Sequence, residues 1–320
     1  MKVKLDAKDK KILTILDENS RYSNAQIARK VGLSKPAVEY RLQRLKKNKV
    51  LFQHYTVIDI TKLGFSQYKI YFKFQNTNLE DEKKIIDYWV KQNDSAWVAQ
   101  IRGEWDLAVS LLEKSNFDFG KSLTNFMNKF SKHILSKDIL LTEYSPIYSR
   151  EYLTQTKSSE FIYGKPSKII TLDETDNKIL KELSTNARIP ILDLAKKTHL
   201  SRDIINYRIK KLTKEKIIVQ NRTYLTLDEL GIKHYKIIFR TKNFNEESED
   251  KIKKYVASHK KATQFLKLIG SWDLEIEFET ESEDELYEIL TDIRKKFSDV
   301  IRDFDILRIT KTYKLNFFPF

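Results

Sequence analysis

Two hydrophobic periodicities alternate along the chain, and the alternation occurs twice. In the first stretch Ile12, Leu13 and Leu16 recur at helical spacing, with Asp9 one turn earlier. Ser23 to Gln26 then has the S-x-x-Q form of a capping box, which predicts a second helix carrying Ile27 and Ala28 inward. In the "VGLS" that follows, Gly32 suits a left-handed turn residue and Ser34 an N-cap. The third helix so started has Val38, Leu42 and Leu45 on one face, and Pro36 falls in its first turn, where a missing N–H is harmless. Helix, glycine turn and basic helix make the helix-turn-helix plan, whose second member enters the major groove of DNA. The β-prone "KVLFQHYTVID" predicts a wing or the lead into a sheet.

The period then changes from helical to alternating. "YKIYFKF", "WVAQI", "WDLAVSLL" and "DILLTEY" read as strands, and "EDEKKIIDYWVKQ" and "FGKSLTNFMNKF" as helices, in the order βαββαβ of a ferredoxin-like module. A shift of 167 residues superimposes the first unit on a second: of the 46 pairs from 5 to 50, 18 are identical. The offset persists at Gly64 and Gly231, and at Gly103, Trp105 and Asp106 against Gly270, Trp272 and Asp273. The expected organisation is α+β and duplicated. Helix-turn-helix segments occupy 1–53 and 171–220, ferredoxin-like modules 54–148 and 221–320, and a polar connector with a Gly-Lys-Pro break fills 149–170. If extended, the connector reaches about 70 Å at ~3.3 Å per residue, enough for the second unit to fold back beside the first.

Charge sharpens this picture. The formal charge is +14, of which residues 1–50 carry +9 and residues 172–217 carry +4. An excess confined to the two helix-turn-helix segments points to double-stranded DNA as partner, ahead of an anionic membrane surface. The chain has no cysteine and five scattered histidines, which excludes thiolate chemistry and leaves little for a metal; no cofactor is expected. Its apolar runs are too short to span a membrane and its start lacks a signal-peptide pattern, so the expected location is the cytoplasm.

Several motifs together resemble the leucine-responsive/AsnC family of feast-or-famine transcription regulators. They are the "LDxxDxxIL" helix, the "LS…YR…L" helix-turn-helix, the glycine of "LGF" and "LGI", and "GEWDL" or "GSWDL" between the central strands. Members are usually single units that dimerise through the βαββαβ modules, and many sense amino acids there. The resemblance therefore implies a pseudo-dimer made in one chain, open to further homo-oligomerisation, with two reading heads and a possible amino-acid effector.

On the first reading helix Ser34, Lys35, Tyr40, Arg44 and Lys47 lie off the apolar face and are the candidate DNA contacts; Ser201, Arg202, Tyr207, Lys211 and Lys214 match them. The bland alternative is a solvated basic face. Arg41 and Arg208 sit beside core positions and are expected to lock the helices through Asp9 and Asp176. His199 replaces Gly32 where positive φ is expected, and Asp203 replaces Pro36 near a phosphate path, so the second head is expected to bind more weakly.

Gly103, Trp105, Asp106, Gly270, Trp272 and Asp273 have two readings, as core and turn chemistry or as an effector site by resemblance. The first puts both tryptophans in register with Leu107, Val109 and Leu111 or with their equivalents. Behind that face the second copy has Glu275, Glu277 and Glu279 where the first has Ala108, Ser110 and Leu112. Cross-strand pairing with Lys236 and Arg240 is expected there, unless the face is solvated. The apolar end "KLNFFPF" is expected to dock on a sheet or a partner.

Two other functions remain open. Some haem-pathway decarboxylases resemble this family in paired form, but no histidine here recurs between copies. An architectural protein that coats DNA with little sequence preference is the other.

Overall fold

The computed structural model describes residues 2–154, 161–164 and 168–318. Lys165 and Pro166 of the connector break, and Pro319 and Phe320 of the apolar end, lie outside the described residues.

Local signals set the first head. Helix α1 (Ala7–Glu18) starts at a capping box formed by Asp6 and Asp9, α2 (Asn24–Val31) at the Ser23–Gln26 box, and α3 (Lys35–Lys47) at Ser34. Gly32 takes the left-handed conformation between α2 and α3, at φ 69°. Strand β1 (Leu51–Ile58) leads out of the head. The first module follows with β2 (Ser66–Phe74), α4 (Leu79–Lys91), β3 (Ser95–Arg102), β4 (Leu107–Glu113), α5 (Asn116–Phe130) and β5 (Ile134–Ile147). The connector contributes a short β6 (Phe161–Tyr163) paired with β5.

The second copy repeats the plan. Its head has α6 (Glu174–Thr185), α7 (Ile191–Thr198) and α8 (Arg202–Lys214), followed by β7 (Ile218–Leu225) and the single turn α9 (Leu227–Leu230). Its module has β8 (Lys233–Thr241), α10 (Glu246–Ser258), β9 (Ala262–Ile269), β10 (Leu274–Thr280), α11 (Glu283–Lys296) and β11 (Ile301–Leu315).

Neither β1 nor β7 forms a wing hairpin within its own head. They pair with each other, antiparallel, as a two-stranded ribbon between the copies. The expected boundaries at 53/54 and 220/221 thus fall inside these strands. In the main sheet β5 and β11 each serve both modules: their first halves pair with β2 and β8 of their own copy, their second halves with β9 and β3 of the other. The result is a ring of eight strands, β2-β4-β3-β11-β8-β10-β9-β5 closing back on β2, with β6 appended. Closure removes the exposed sheet edges that an isolated module would carry.

Helices cover the outside of the ring. Tyr68, Ile70, Phe72, Leu107, Val109 and Leu111 pack with Trp89 and Phe126 on one side, and Ile237, Ile276, Phe278 and Leu290 belong to the equivalent core on the other. Alternation sends Lys69, Tyr71, Lys236, Glu275 and Glu277 to the inside.

Backbone bonds repeat at the offset of the duplication, which defines a pseudo-twofold axis. Ser20 N–H donates to Asn221 O (2.8 Å) and Ala187 N–H to His54 O (2.9 Å); Val3 N–H donates to Glu229 O (2.8 Å) and Ile170 N–H to Lys62 O (2.7 Å). Side chains follow the same logic unequally. Arg188 donates to Ser20 O, Tyr22 O and Asn24 Oδ1 in the first head, whereas its counterpart Arg21 donates to Ala187 O alone, at 2.6 Å. Arg188→Ala is accordingly expected to lower stability by about 2 kcal/mol and Arg21→Ala by about 1 kcal/mol, a ranking that urea unfolding midpoints will check.

Candidate nucleic-acid interface and barrel interior

The reading helices are fixed from below by buried carboxylates. Asp9, with no exposed surface, accepts from Arg41 Nη1 at 2.7 Å, and the same nitrogen reaches Asp6 at 2.6 Å. The hydrogen bond from Arg41 holds the Asp6 carboxyl below its usual range. Arg208 repeats the clamp on Asp173 and, at 3.3 Å, on Asp176. Both arginines thus take the locking role their positions suggested.

Arg44 departs from expectation. Its Nη2 is also bound to Asp9, which makes it the second arm of the clamp, and its side chain is only 35% exposed. The helical period along α3 places Arg44 near the outer face, but the buried Asp9 has two oxygens to satisfy, and Arg41 and Arg44 take one each. Lys211, in the equivalent place on α8, is half-buried.

The remaining candidates stand free on the outer faces. Ser34 and Ser201 cap their helices by accepting from the N–H groups of Ala37 and Ile204 at 3.3 Å. Lys35, Lys47, Arg202 and Lys214 are exposed, and Tyr40 and Tyr207 present 67% and 65% of their surface. The same ring is thus presented at the same place on both reading helices, beside exposed lysine and arginine. The heads differ in the first turn of that helix, where Ala37 and Pro36 face Ile204, 42% exposed, and Asp203. His199 adopts the left-handed conformation at φ 57°, as its position opposite Gly32 requires.

The G-x-W-D turns are closed structures. A Cβ on Gly103 would lie 2.6 Å from Ile306 O, so nothing larger than glycine fits. Asp106 accepts from Phe74 N–H at 2.8 Å and Lys73 Nζ at 3.2 Å; Asp273 accepts from the N–H and hydroxyl of Thr241, both at 2.7 Å. Gly270 packs against Leu140 and Ile139. Trp105 and Trp272 are core anchors, but on the opposite face from that expected. They leave the Leu107/Val109/Leu111 side and meet inside the ring, 6.5 Å apart, around Tyr71, with Ala99 and Ala108. The turn swings each tryptophan off its strand's alternation, so counting in twos from Leu107 places it on the wrong side. The fold thus joins the two tryptophans, while each aspartate stays bonded within its own module.

Beside this aromatic half lies an ionic half. Glu275 receives Lys69 and, at 2.9 Å, Lys236; Tyr71 donates to it at 2.7 Å and Trp272 Nε1 at 3.2 Å. Glu277 binds Lys236 at 2.5 Å and His234 at 2.9 Å. Burial pushes the Glu275 carboxyl up, but Lys236 and Lys69 overcome this and hold it at about 2. Lys236 therefore pairs as expected. Arg240 does not join it: that side chain reaches outward to Asp303 and Asp305 on β11, at 3.0 and 2.7 Å. Glu279 is taken instead by Arg150 of the connector, at 2.9 Å, and by Tyr152. Arg150 also binds Asp17 of α1 at 2.9 Å, as does Arg222 of β7 at 2.7 Å. This group of Asp17, Arg150, Arg222 and Glu279 escaped the sequence reading. Its signal was present: at the offset of 167 the four correspond to Ser184, Phe317, Tyr55 and Leu112, so four charges face four uncharged residues. In the structure Tyr55 and Phe317 stack on each other, 5.8 Å between centroids. Phe317 and Phe318 dock the chain's end there as the apolar pattern suggested, Phe318 entering the core of the second head.

Glu275 has a pH signature. An unfolded chain protonates this carboxyl near 4.5 and the folded chain near 2, so its contribution is complete above 4.5 and is lost as pH falls towards 2. Glu275→Gln is expected to flatten stability against pH in that window and to cost about 3 kcal/mol at neutral pH, because two buried ammoniums lose their shared counter-charge. Urea unfolding of both proteins from pH 2 to 7 checks this.

Comparison with known proteins agrees with the geometry. The AsnC-type helix-turn-helix domain matches at residues 5–46 and again at 172–213. A Pyrococcus furiosus protein named as an uncharacterised HTH-type transcriptional regulator is 30% identical over 138 residues, which is 42% of this chain and 85% of the relative. The Bacillus subtilis HTH-type transcriptional regulator LrpB is 24% identical over 102 residues, 32% of this chain and 67% of its own. Among solved structures, the siroheme decarboxylase NirDL shares the fold over 97% of this chain and 93% of its own, with a TM-score of 0.62 at 12% identity. With its diagnostic head matched twice and one full unit covered by a regulator, the chain belongs to the Lrp/AsnC family, as a tandem duplication in one polypeptide.

Proposed function

We propose that this protein is a DNA-binding transcription regulator that reads two half-sites with α3 and α8. One observation carries the reading. Two basic helices, each with an exposed tyrosine at the same place, are held by buried carboxylate clamps on the outside of a pseudo-twofold assembly. Lysine and arginine there would neutralise phosphates, and the tyrosines would reach base edges. Half-sites would lie about 34 to 36 Å apart, or a multiple of that. The regulators named among the relatives support the same role.

The two heads are unequal partners in this reading. Asp203 sets a negative charge at the start of α8, whereas α3 has no acidic residue in its first turn. Lys47→Glu is therefore expected to weaken DNA binding more than Lys214→Glu, each lowering the salt dependence by about one phosphate contact. Selection of bound sequences from random duplex DNA, followed by affinities at several salt concentrations, tests both statements. A motif with two unlike half-sites supports the regulator; salt-sensitive binding without a motif supports an architectural protein.

An amino-acid effector at the Gly103 and Gly270 turns would have to displace bonds that Asp106 and Asp273 already make. A second reading, a tetrapyrrole decarboxylase, draws on the fold shared with NirDL. Against it, the interior cavity is about 110 Å³, below the roughly 300–1,000 Å³ of pockets for drug-sized ligands. His234 faces that cavity but is bonded to Glu277.

A further inference from the structure

The cavity lies where the β1–β7 ribbon meets the ionic half of the ring. Tyr55 and Arg222 line it from the ribbon, Lys69 and Lys236 from β2 and β8, and Trp97 and Leu266 form part of its apolar wall.

Its hydrogen-bond account does not balance. The carboxylates are taken: Glu277 gives one oxygen to Lys236 and the other to His234, and both oxygens of Glu279 receive Arg150. The donors are not. An ammonium has three hydrogens, and Lys69 has one hydrogen-bonded partner among the described residues, Glu275, with the Tyr71 and Trp97 rings 5.6 and 6.0 Å from its Nζ. Arg222 spends Nε and Nη2 on Asp17 and on Tyr148 O, leaving Nη1 without a partner among the described residues. The Tyr55 hydroxyl is likewise unbonded among the described residues. These three side chains are 3%, 5% and 8% exposed. Spare donors on a cavity wall, two of them cationic, offer charge-assisted bonds to an acceptor that enters the cavity.

We propose that this cavity binds a short-chain monocarboxylate, its carboxylate facing Lys69, Arg222 and Tyr55 and its carbon chain against Trp97 and Leu266. Phosphate or sulfate would fill the donor side and leave the apolar wall bare. The volume of about 110 Å³ suits a ligand of a few heavy atoms. This site is separate from the reading helices and from the G-x-W-D turns, and it stands whether or not the protein regulates transcription.

The full chain is titrated with propionate, butyrate and 2-oxobutyrate by calorimetry and by tryptophan fluorescence, to which Trp97 reports. Sodium chloride and inorganic phosphate at matched ionic strength are the controls. At least one carboxylate should bind saturably with one site per chain. Lys69→Met should weaken it about tenfold or more and Tyr55→Phe about threefold, as expected for charged and neutral donors. Ser110→Leu fills the cavity while leaving every charge in place, and should abolish binding with circular dichroism unchanged. If Lys69→Met fails to fold, Tyr55→Phe and Ser110→Leu decide. No saturable carboxylate binding, equal binding of phosphate, or undiminished binding in Ser110→Leu overturns the proposal.

Discussion

Closing eight strands into a ring creates an inner face with little water, and whatever points inward has to be neutralised there. Both copies send a lysine to that face at the same position, Lys69 and Lys236. In a symmetric dimer of one unit, those two ammoniums would face each other with either no carboxylate or a matched pair. The duplicated chain uses a third arrangement. Its second copy alone supplies Glu275 and Glu277 from β10, and Glu275 lies between the lysines and binds both. The packing of the ring therefore depends on an asymmetry that a chain carrying both copies is free to evolve.

The same divergence reaches the heads. The first is tied to the ring by ions, through Asp17 of α1, Arg150 and Arg222, with Glu279 at the far end. At the equivalent place in the second, Tyr55 stacks on Phe317, Ser184 donates to Phe318 O, and Phe318 completes an apolar core that also includes Ile58 from the first copy. A buried ion group fixes geometry through directed bonds but tolerates little loss of any member, whereas an aromatic stack adapts by small shifts. The two heads are mounted on unlike joints under nearly identical backbone pairing.

What the sequence made legible was local. The capping box at Ser23, the N-cap at Ser34, the glycine between α2 and α3, and the switch of period after residue 50 depend on neighbours within a few positions, and each appears where expected. The failures share a cause. The partner of β1, the face chosen by Trp105, and the inward turn of Arg44 are set by residues far away in the chain. Alternation tells which residues share a face, not which strand lies beside them or what charge waits beneath. Arg150 is the extreme case: nothing in the polar composition of the connector singles it out, yet it is 8% exposed and holds two carboxylates.

Fusion changes the energetics of assembly as well as its symmetry. A dimer of separate units dissociates on dilution, and the stability of each protomer then depends on concentration. Here β3 with β11 and β5 with β9 are intramolecular pairs, so the ring and the ribbon form at any concentration. The second head is held beside the first at an effective concentration set by the chain rather than by expression level. Even a weak second head would therefore contribute to a complex held by the first, although α8 carries the same five basic residues and one acidic residue as α3. A carboxylate in the first turn of one reading helix alone, as Asp203 is, can arise in such an arrangement, whereas a dimer assembled from identical units would carry it in both heads.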